Sequence, residues 1–207
     1  MTKPNIDTAY AAKDAQANKD LYANWAATYD EDFAAGSGYA LPANVARVFL
    51  EHGAKGLVLD VGFGTVLFGE HLSGCYFDQI DGVDISPDML AEAALKDVYE
   101  RLFEGDLLGV LDVEDATYDG LVSAGTFTLG HVGPAAFDEL LRITRPGGLL
   151  AISVNAAHYA ADGFAAKLDE LSGQIAQIAK VPVPIYAKGQ GGTHEGEACL
   201  VLVFKKL

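Results

Sequence analysis

Short apolar runs alternate with amphipathic stretches along most of the chain. Leu57–Val61, Ile80–Ile85, Val98–Phe103, Tyr118–Ser123 and Leu149–Val154 have the length and β-branched content of strands, and the first and last are apolar on both faces, as buried parallel strands are. Between them, helical spacing predicts helices over Leu41–His52, Thr65–Leu72, Pro87 to about Lys96 and Phe137–Thr144. Ser86 as N-cap, Pro87 in the first helical position and Asp88 in the positive first turn mark one of these starts. Arg145-Pro146-Gly147-Gly148 is a sharp stop before the fifth strand. Past it the pattern predicts a long amphipathic helix over Gly163–Lys180, an extended segment Val181–Ala187, a loose connection Gly189–Gly196 and a final strand Ala198–Lys205. Strand followed by helix, repeated, means a mainly parallel sheet covered on both faces; two strands with no helix between them mean an antiparallel hairpin at one edge.

Before the first strand, Asp7–Tyr29 is alanine-rich and helical in pattern. Leu21, Tyr22, Trp25 and Tyr29 share one face, which serves either to pack the helix or to close as a lid over a ligand. Gly36-Ser37-Gly38 is a flexible break. With 207 residues, no internal repeat and no boundary-like composition shift, the expected organisation is one domain, 1–207, with an N-terminal helical lid over about 5–52.

Charge narrows the partners. With 14 basic against 29 acidic residues the net charge is −15, so a nucleic-acid backbone is repelled and small molecules are favoured. No apolar run approaches the ~20 residues of a membrane span. The start, Met1-Thr2-Lys3-Pro4-Asn5, has no apolar signal core behind it, and Cys75 and Cys199 are no disulfide framework; a cytoplasmic protein is expected. No cluster has metal-ligand spacing.

The chemistry starts where the first strand breaks into Gly62-Phe63-Gly64-Thr65. Glycines in such a turn let backbone approach a ligand, and a following helix start offers free N–H groups. A dinucleotide fingerprint needs a third glycine at 67, where Leu67 stands, so a nicotinamide-dependent oxidoreductase is disfavoured. Asp60, two residues before the first glycine, fits another pattern. Val58-Leu59-Asp60-x-Gly62-x-Gly64-Thr65 resembles the first motif of the class I S-adenosylmethionine-dependent methyltransferases.

The resemblance continues in family order from residue 57 to 154. Asp84, 20 residues after Gly64, matches the acidic residue that holds the ribose hydroxyls. Met89 matches an apolar position against the adenine, and Gly105-Asp106-Leu107 the adenine-amine contact. Tyr118-Asp119-x-x-Val122-Ser123 and Arg145-Pro146-Gly147-Gly148-Leu149 are similar to the later motifs. Trp25-Ala26-x-x-Tyr29-Asp30, with Gly82-Val83-Asp84-x-Ser86-Pro87-x-Met89-Leu90, resembles the methyltransferase-like proteins related to the Williams–Beuren critical-region product. Two positions depart from the pattern: Val66 stands where a glycine is usual, and Phe63 is bulkier than its usual counterpart.

The resemblance implies a three-layer α/β/α Rossmann-like fold with a seven-stranded, mostly parallel sheet. It implies S-adenosylmethionine as cofactor, held by Trp25, Tyr29, Asp60, Gly62, Gly64, Thr65, Asp84, Ile85, Met89, Asp106, Leu107 and Ser123, with Trp25 and Tyr29 closing over it. His131, in the segment after strand four that faces the methyl group in this family, is the candidate general base; its other reading is a cap or support for the next helix. His52, His71, His158 and His194 read as surface or packing residues. Asn-Pro-Pro-Tyr-type motifs of amide and base methylation are absent after strand four, which leaves a small-molecule acceptor. The alternative is a weak or inactive cofactor-binding protein that acts through a partner.

Overall fold

In a computed structural model of the protein, residues 38–64, 67–72, 77, 79–190 and 194–207 are described. Trp25, Tyr29, Thr65 and Val66 lie outside the described residues, as does the expected lid up to residue 37.

Seven strands form one sheet in the order β3-β2-β1-β4-β5-β7-β6: β1 Leu57–Val61, β2 Gln79–Asp84, β3 Arg101–Glu104, β4 Tyr118–Phe127, β5 Thr144–Asn155, β6 Ile175–Pro184 and β7 Ala198–Lys206. The first five run parallel. β7 is antiparallel to β5, and β6 antiparallel to β7, which is the expected edge hairpin.

Alternation within β5 shows how both faces are buried. Leu150, Ile152 and Val154 enter one core and Leu149 and Ala151 the other. On the first face pack α4 (Ala136–Ile143), through Phe137, Leu140 and Leu141, and α6 (Phe164–Glu170), through Phe164 and Leu168. On the second face α1 (Leu41–Glu51) lays Leu41, Val45, Val48 and Phe49 against Val58, Val122 and Val201. This part of the expected lid is therefore a layer of the core. Leu72, the last residue of α2 (Leu67–Leu72), joins it there. α3 (Pro87–Ala94) starts as its cap pattern predicts, with Ser86 Oγ accepting from the Met89 N–H at 3.4 Å. Helix-covered faces around a mainly parallel sheet make this an α/β/α Rossmann-like fold.

The long helix expected over Gly163–Lys180 is a correction. α5 (Ala156–Ala161) and α6 precede a short 3₁₀ turn, Leu171–Gly173, and the chain becomes β6 from Ile175. Helical spacing and strand alternation are hard to separate across Ile175-Ala176-Gln177-Ile178, and pairing with nine residues of β7 decides for the strand. Among the described residues no helix is long and apolar enough to cross a membrane.

Candidate functional site

Parallel register brings the motif residues together. β1 and β2 pair as Asp60↔Gly82 and Val61↔Val83, so the chain after Val61 and Asp84 at the end of β2 emerge side by side. The Gly62 N–H donates to the Val83 carbonyl at 2.8 Å and the Gly64 N–H to Asp84 Oδ2 at 3.0 Å. The segment after β3 carries Asp106 and Leu107, and the segment after β4 carries His131; both leave the same C-terminal edge of the sheet. The strand order reverses between β1 and β4, and that crevice is where open α/β sheets bind ligands.

Gly62 and Gly64 both have positive φ, 65° and 59°, which explains the residue type. Their surroundings differ. A Cβ on Gly62 would run into the side chain of Thr126, whose hydroxyl donates to the carbonyls of Val61 and Gly62 at 3.1 and 3.0 Å. A Cβ on Gly64 would meet nothing within 4 Å. Gly62 thus serves the fold and Gly64 faces the open side. Gly62→Ala is expected to cost well over the about 1–2 kcal/mol of left-handed strain that Gly64→Ala costs. In urea unfolding the first should lose more stability; in ligand titration the second should lose more affinity than its stability loss explains.

Two carboxylates flank this turn. Asp84 is buried, which pushes its pKa up, while hydrogen bonds from the backbones of Ser86, Gly64 and Ile85 oppose the shift. Oδ1 accepts from Ser86 N–H at 2.9 Å and Oδ2 from Gly64 N–H, and with Ile85 as a third donor the carboxylate still keeps acceptor capacity for a hydroxyl. Asp60 is 1 % exposed, and burial raises its pKa to about 7. The hydroxyl of Tyr99 donates to its Oδ2 at 2.5 Å, and Asp84 adds like-charge repulsion. Asp60 Oδ1 has no partner among the described residues.

The other motif residues take different parts. Ser123 is fully buried and its hydroxyl donates to the Val61 carbonyl at 2.8 Å, so it braces β4 against the glycine turn from beneath. Met89 is buried in the first turn of α3, and Ile85 is half-buried beside it. The Leu107 side chain enters the core, leaving its backbone for a ligand; exposed Asp106 accepts from the Leu108 N–H at 2.9 Å and shapes the turn. Phe63 turns away from the open side and packs on Tyr99, ring centroids 5.2 Å apart, and its bulk is absorbed by the α3 side of the sheet. His131 is half-buried with Nδ1 3.1 Å from the Leu129 carbonyl; burial lowers its pKa, so the ring is neutral near pH 7 and able to take a proton.

Thr126 and Tyr99 were not among the residues that spacing singles out. Thr126 has a signal: it follows Gly125, at φ 96°, where β4 loses register with β5 between Ser123 and Phe127. Tyr99 has none, because it lies in the connection to β3 and reaches Asp60 only in three dimensions. His158 is likewise buried, and it is more than a packing residue: Nε2 lies 2.9 Å from the Val132 carbonyl and Nδ1 2.7 Å from Asp162.

Two buried carboxylates beside bare backbone at Gly64 suit a group that brings hydrogen-bond donors or positive charge better than one that brings phosphate. Residues 59–152 match the methyltransferase domain family. Human methyltransferase-like protein 27 is 31% identical over 158 residues, 73% of this chain and 63% of that protein, so this chain spans less than two thirds of its length. In fold the chain is similar to a TehB-like S-adenosylmethionine-dependent methyltransferase from Corynebacterium glutamicum, with a TM-score of 0.64 at 21% identity over 91% of this chain and 100% of that one. It is also similar to a chain in the complex of the Haloferax volcanii Trm112 methyltransferase activator with a methyltransferase, with a TM-score of 0.67 at 15% identity over 89% and 96%. Residues 59–152 therefore match a methyltransferase domain, set in a chain with the class I fold, and the cofactor such a domain takes is S-adenosylmethionine.

Proposed function

We propose that the protein transfers the methyl group of S-adenosylmethionine to a small-molecule acceptor. The observation that carries the reading is the pair of buried carboxylates beside Gly64: Asp84 with acceptor capacity to spare for a ribose hydroxyl, and Asp60 with Oδ1 unpartnered among the described residues. A cofactor with cationic groups and no phosphate suits that pair; a dinucleotide does not. When bound, the sulfonium supplies an already electrophilic methyl group. The chain then has to place the acceptor in line and exclude water, which supplies much of the rate. His131, neutral at pH 7 and carried on the segment after β4, takes a proton from an acceptor that must lose one. The net charge of −15 supports a small acceptor over nucleic acid.

Calorimetric titration with S-adenosylhomocysteine should give a micromolar Kd, and no binding at millimolar ligand would overturn the reading. Asp84→Ala should weaken binding by about 1.5–3 kcal/mol, the worth of hydrogen bonds to a charged group, which is roughly tenfold or more. A second reading, a cofactor-binding protein that acts through a partner, draws support from the likeness to a chain found with an activator. It predicts cofactor binding with no turnover on a broad acceptor panel until a partner is added.

A further inference from the structure

Tyr99 belongs to none of the family-pattern positions, yet it makes the closest polar contact in the site. It sits in the connection between α3 and β3, anchored where the next residue, Glu100, donates its N–H to the Ile80 carbonyl at 2.9 Å. Its ring is buried against Phe63 and Ala93. The hydroxyl lies under α2, where the backbone N–H of Gly69 is directed at it. A Cβ on Gly69 would come within 2.8 Å of that oxygen, so the absence of a side chain there leaves the hydroxyl its place. Burial and the neighbouring carboxylate push the Tyr99 pKa well above its ordinary value, so the hydroxyl keeps its proton and serves as donor. Its acceptor is Asp60 Oδ2, at 2.5 Å.

That bond divides the carboxylate. One oxygen is held by Tyr99; the other is buried with no partner among the described residues. A buried acceptor without a donor is costly unless a ligand supplies one, and a cationic donor is the strongest complement. We propose that Tyr99 is a positioning residue for cofactor binding: by holding Asp60 Oδ2 it presents Oδ1 to the ammonium at the amino-acid end of S-adenosylmethionine. This rests on the methyltransferase reading above and adds to it a residue and a proton linkage. The titratable groups that face Asp60 are Tyr99, from the connection to β3, and Asp84, from the end of β2. Burial lifts the Asp60 pKa to about 7, and the Tyr99 hydrogen bond is the largest restraint on the rise, ahead of the Val61 backbone. An ammonium binds the ionised form, so cofactor affinity rises as pH passes upward through 7. Loss of the hydroxyl moves that rise to higher pH.

The test compares two ligands by calorimetry between pH 6 and 8: S-adenosylhomocysteine, and 5′-methylthioadenosine, which keeps the nucleoside and thioether but has no amino-acid end. For the wild type, affinity for the first should increase with pH and for the second stay level. Tyr99→Phe, checked for an intact thermal transition, should weaken S-adenosylhomocysteine about tenfold at pH 7, shift its pH dependence upward and leave 5′-methylthioadenosine within about twofold. Gly69→Ala, which crowds the hydroxyl while favouring the helix, should show the same selective loss and serves if the phenylalanine variant does not fold. Equal weakening of both ligands, or of neither, overturns the role of Tyr99 while leaving the methyltransferase reading in place. Failure of both ligands to bind the wild type at millimolar concentration overturns the two together.

Discussion

Asp60→Asn is expected to raise the melting temperature at pH 8 and to abolish tight binding of the cofactor. A carboxyl moved from 3.8 to about 7 by burial costs the fold about 4 kcal/mol once it is ionised, at about 1.36 kcal/mol per pH unit. The sign follows from the raised value. Below pH 3.8 Asp60 is protonated in the folded and unfolded chain alike and its contribution is intact. As pH rises toward 7 the unfolded chain sheds the proton first, and stability falls until the folded carboxyl has ionised too. Asparagine has the same shape, keeps an oxygen for the Tyr99 hydroxyl and carries no charge. A gain of about 2–4 kcal/mol, discounted for the buried amide, corresponds to roughly 5–10 °C for a chain of this size. Melts at pH 4, 6 and 8 should show the difference from wild type growing with pH. A lower melting temperature at pH 8 would mean that ionised Asp60 stabilises the empty site. Such a carboxylate, unfavourable to the fold and useful only to a ligand, is what a binding site tolerates and a core does not.

How far the residues announced this arrangement depends on where the deciding interaction lies. β1 and the Leu149–Val154 part of β5 are legible because both of their faces are buried and all but one position in each, Asp60 and Ser153, is apolar. The start of α3 is legible because capping is local chemistry within four residues of chain. The turn at Gly62–Gly64 is legible for the same reason, with Asp60 and Asp84 at family spacing on either side. β6 was not, because Ile175–Lys180 satisfies a helical period and only the distant β7 makes it a strand. Phe63 departs from the family pattern, but its ring finds a place behind the turn on Tyr99. Ser123 is at the expected position, and its hydroxyl donates to the Val61 carbonyl, 62 residues away, a contact that spacing does not show. Tyr99 could not be found from spacing, since 39 positions of sequence, with α2, β2 and α3 among them, separate it from the carboxylate it holds.

His158→Ala should separate the acceptor side of the site from the cofactor side. The imidazole is buried between the segment after β4 and α5. One ring nitrogen lies 2.9 Å from the Val132 carbonyl and the other 2.7 Å from Asp162, with the ring edge on Phe164 at 4.9 Å between centroids. Its own helix is firmly started, Asn155 Oδ1 accepting from the N–H groups of Ala157 and His158. Truncation takes the donor from the half-buried Val132 carbonyl and opens a cavity against Phe164, at a cost of about 2–4 kcal/mol. The loss falls on the segment Thr128–Gly133, which carries His131, and not on the Gly62–Gly64 turn, which is held by Thr126, Val83 and Asp84. Amide exchange should therefore speed up at 128–133 while S-adenosylhomocysteine affinity stays within about twofold, since no group that contacts the cofactor changes. As the segment loosens, water reaches the His131 ring and its lowered pKa returns toward 6.5. Any methyl transfer that needs this base should then fall at pH 6 and recover at pH 8. Parallel loss of cofactor affinity would instead show that the two sides move as one unit through β4.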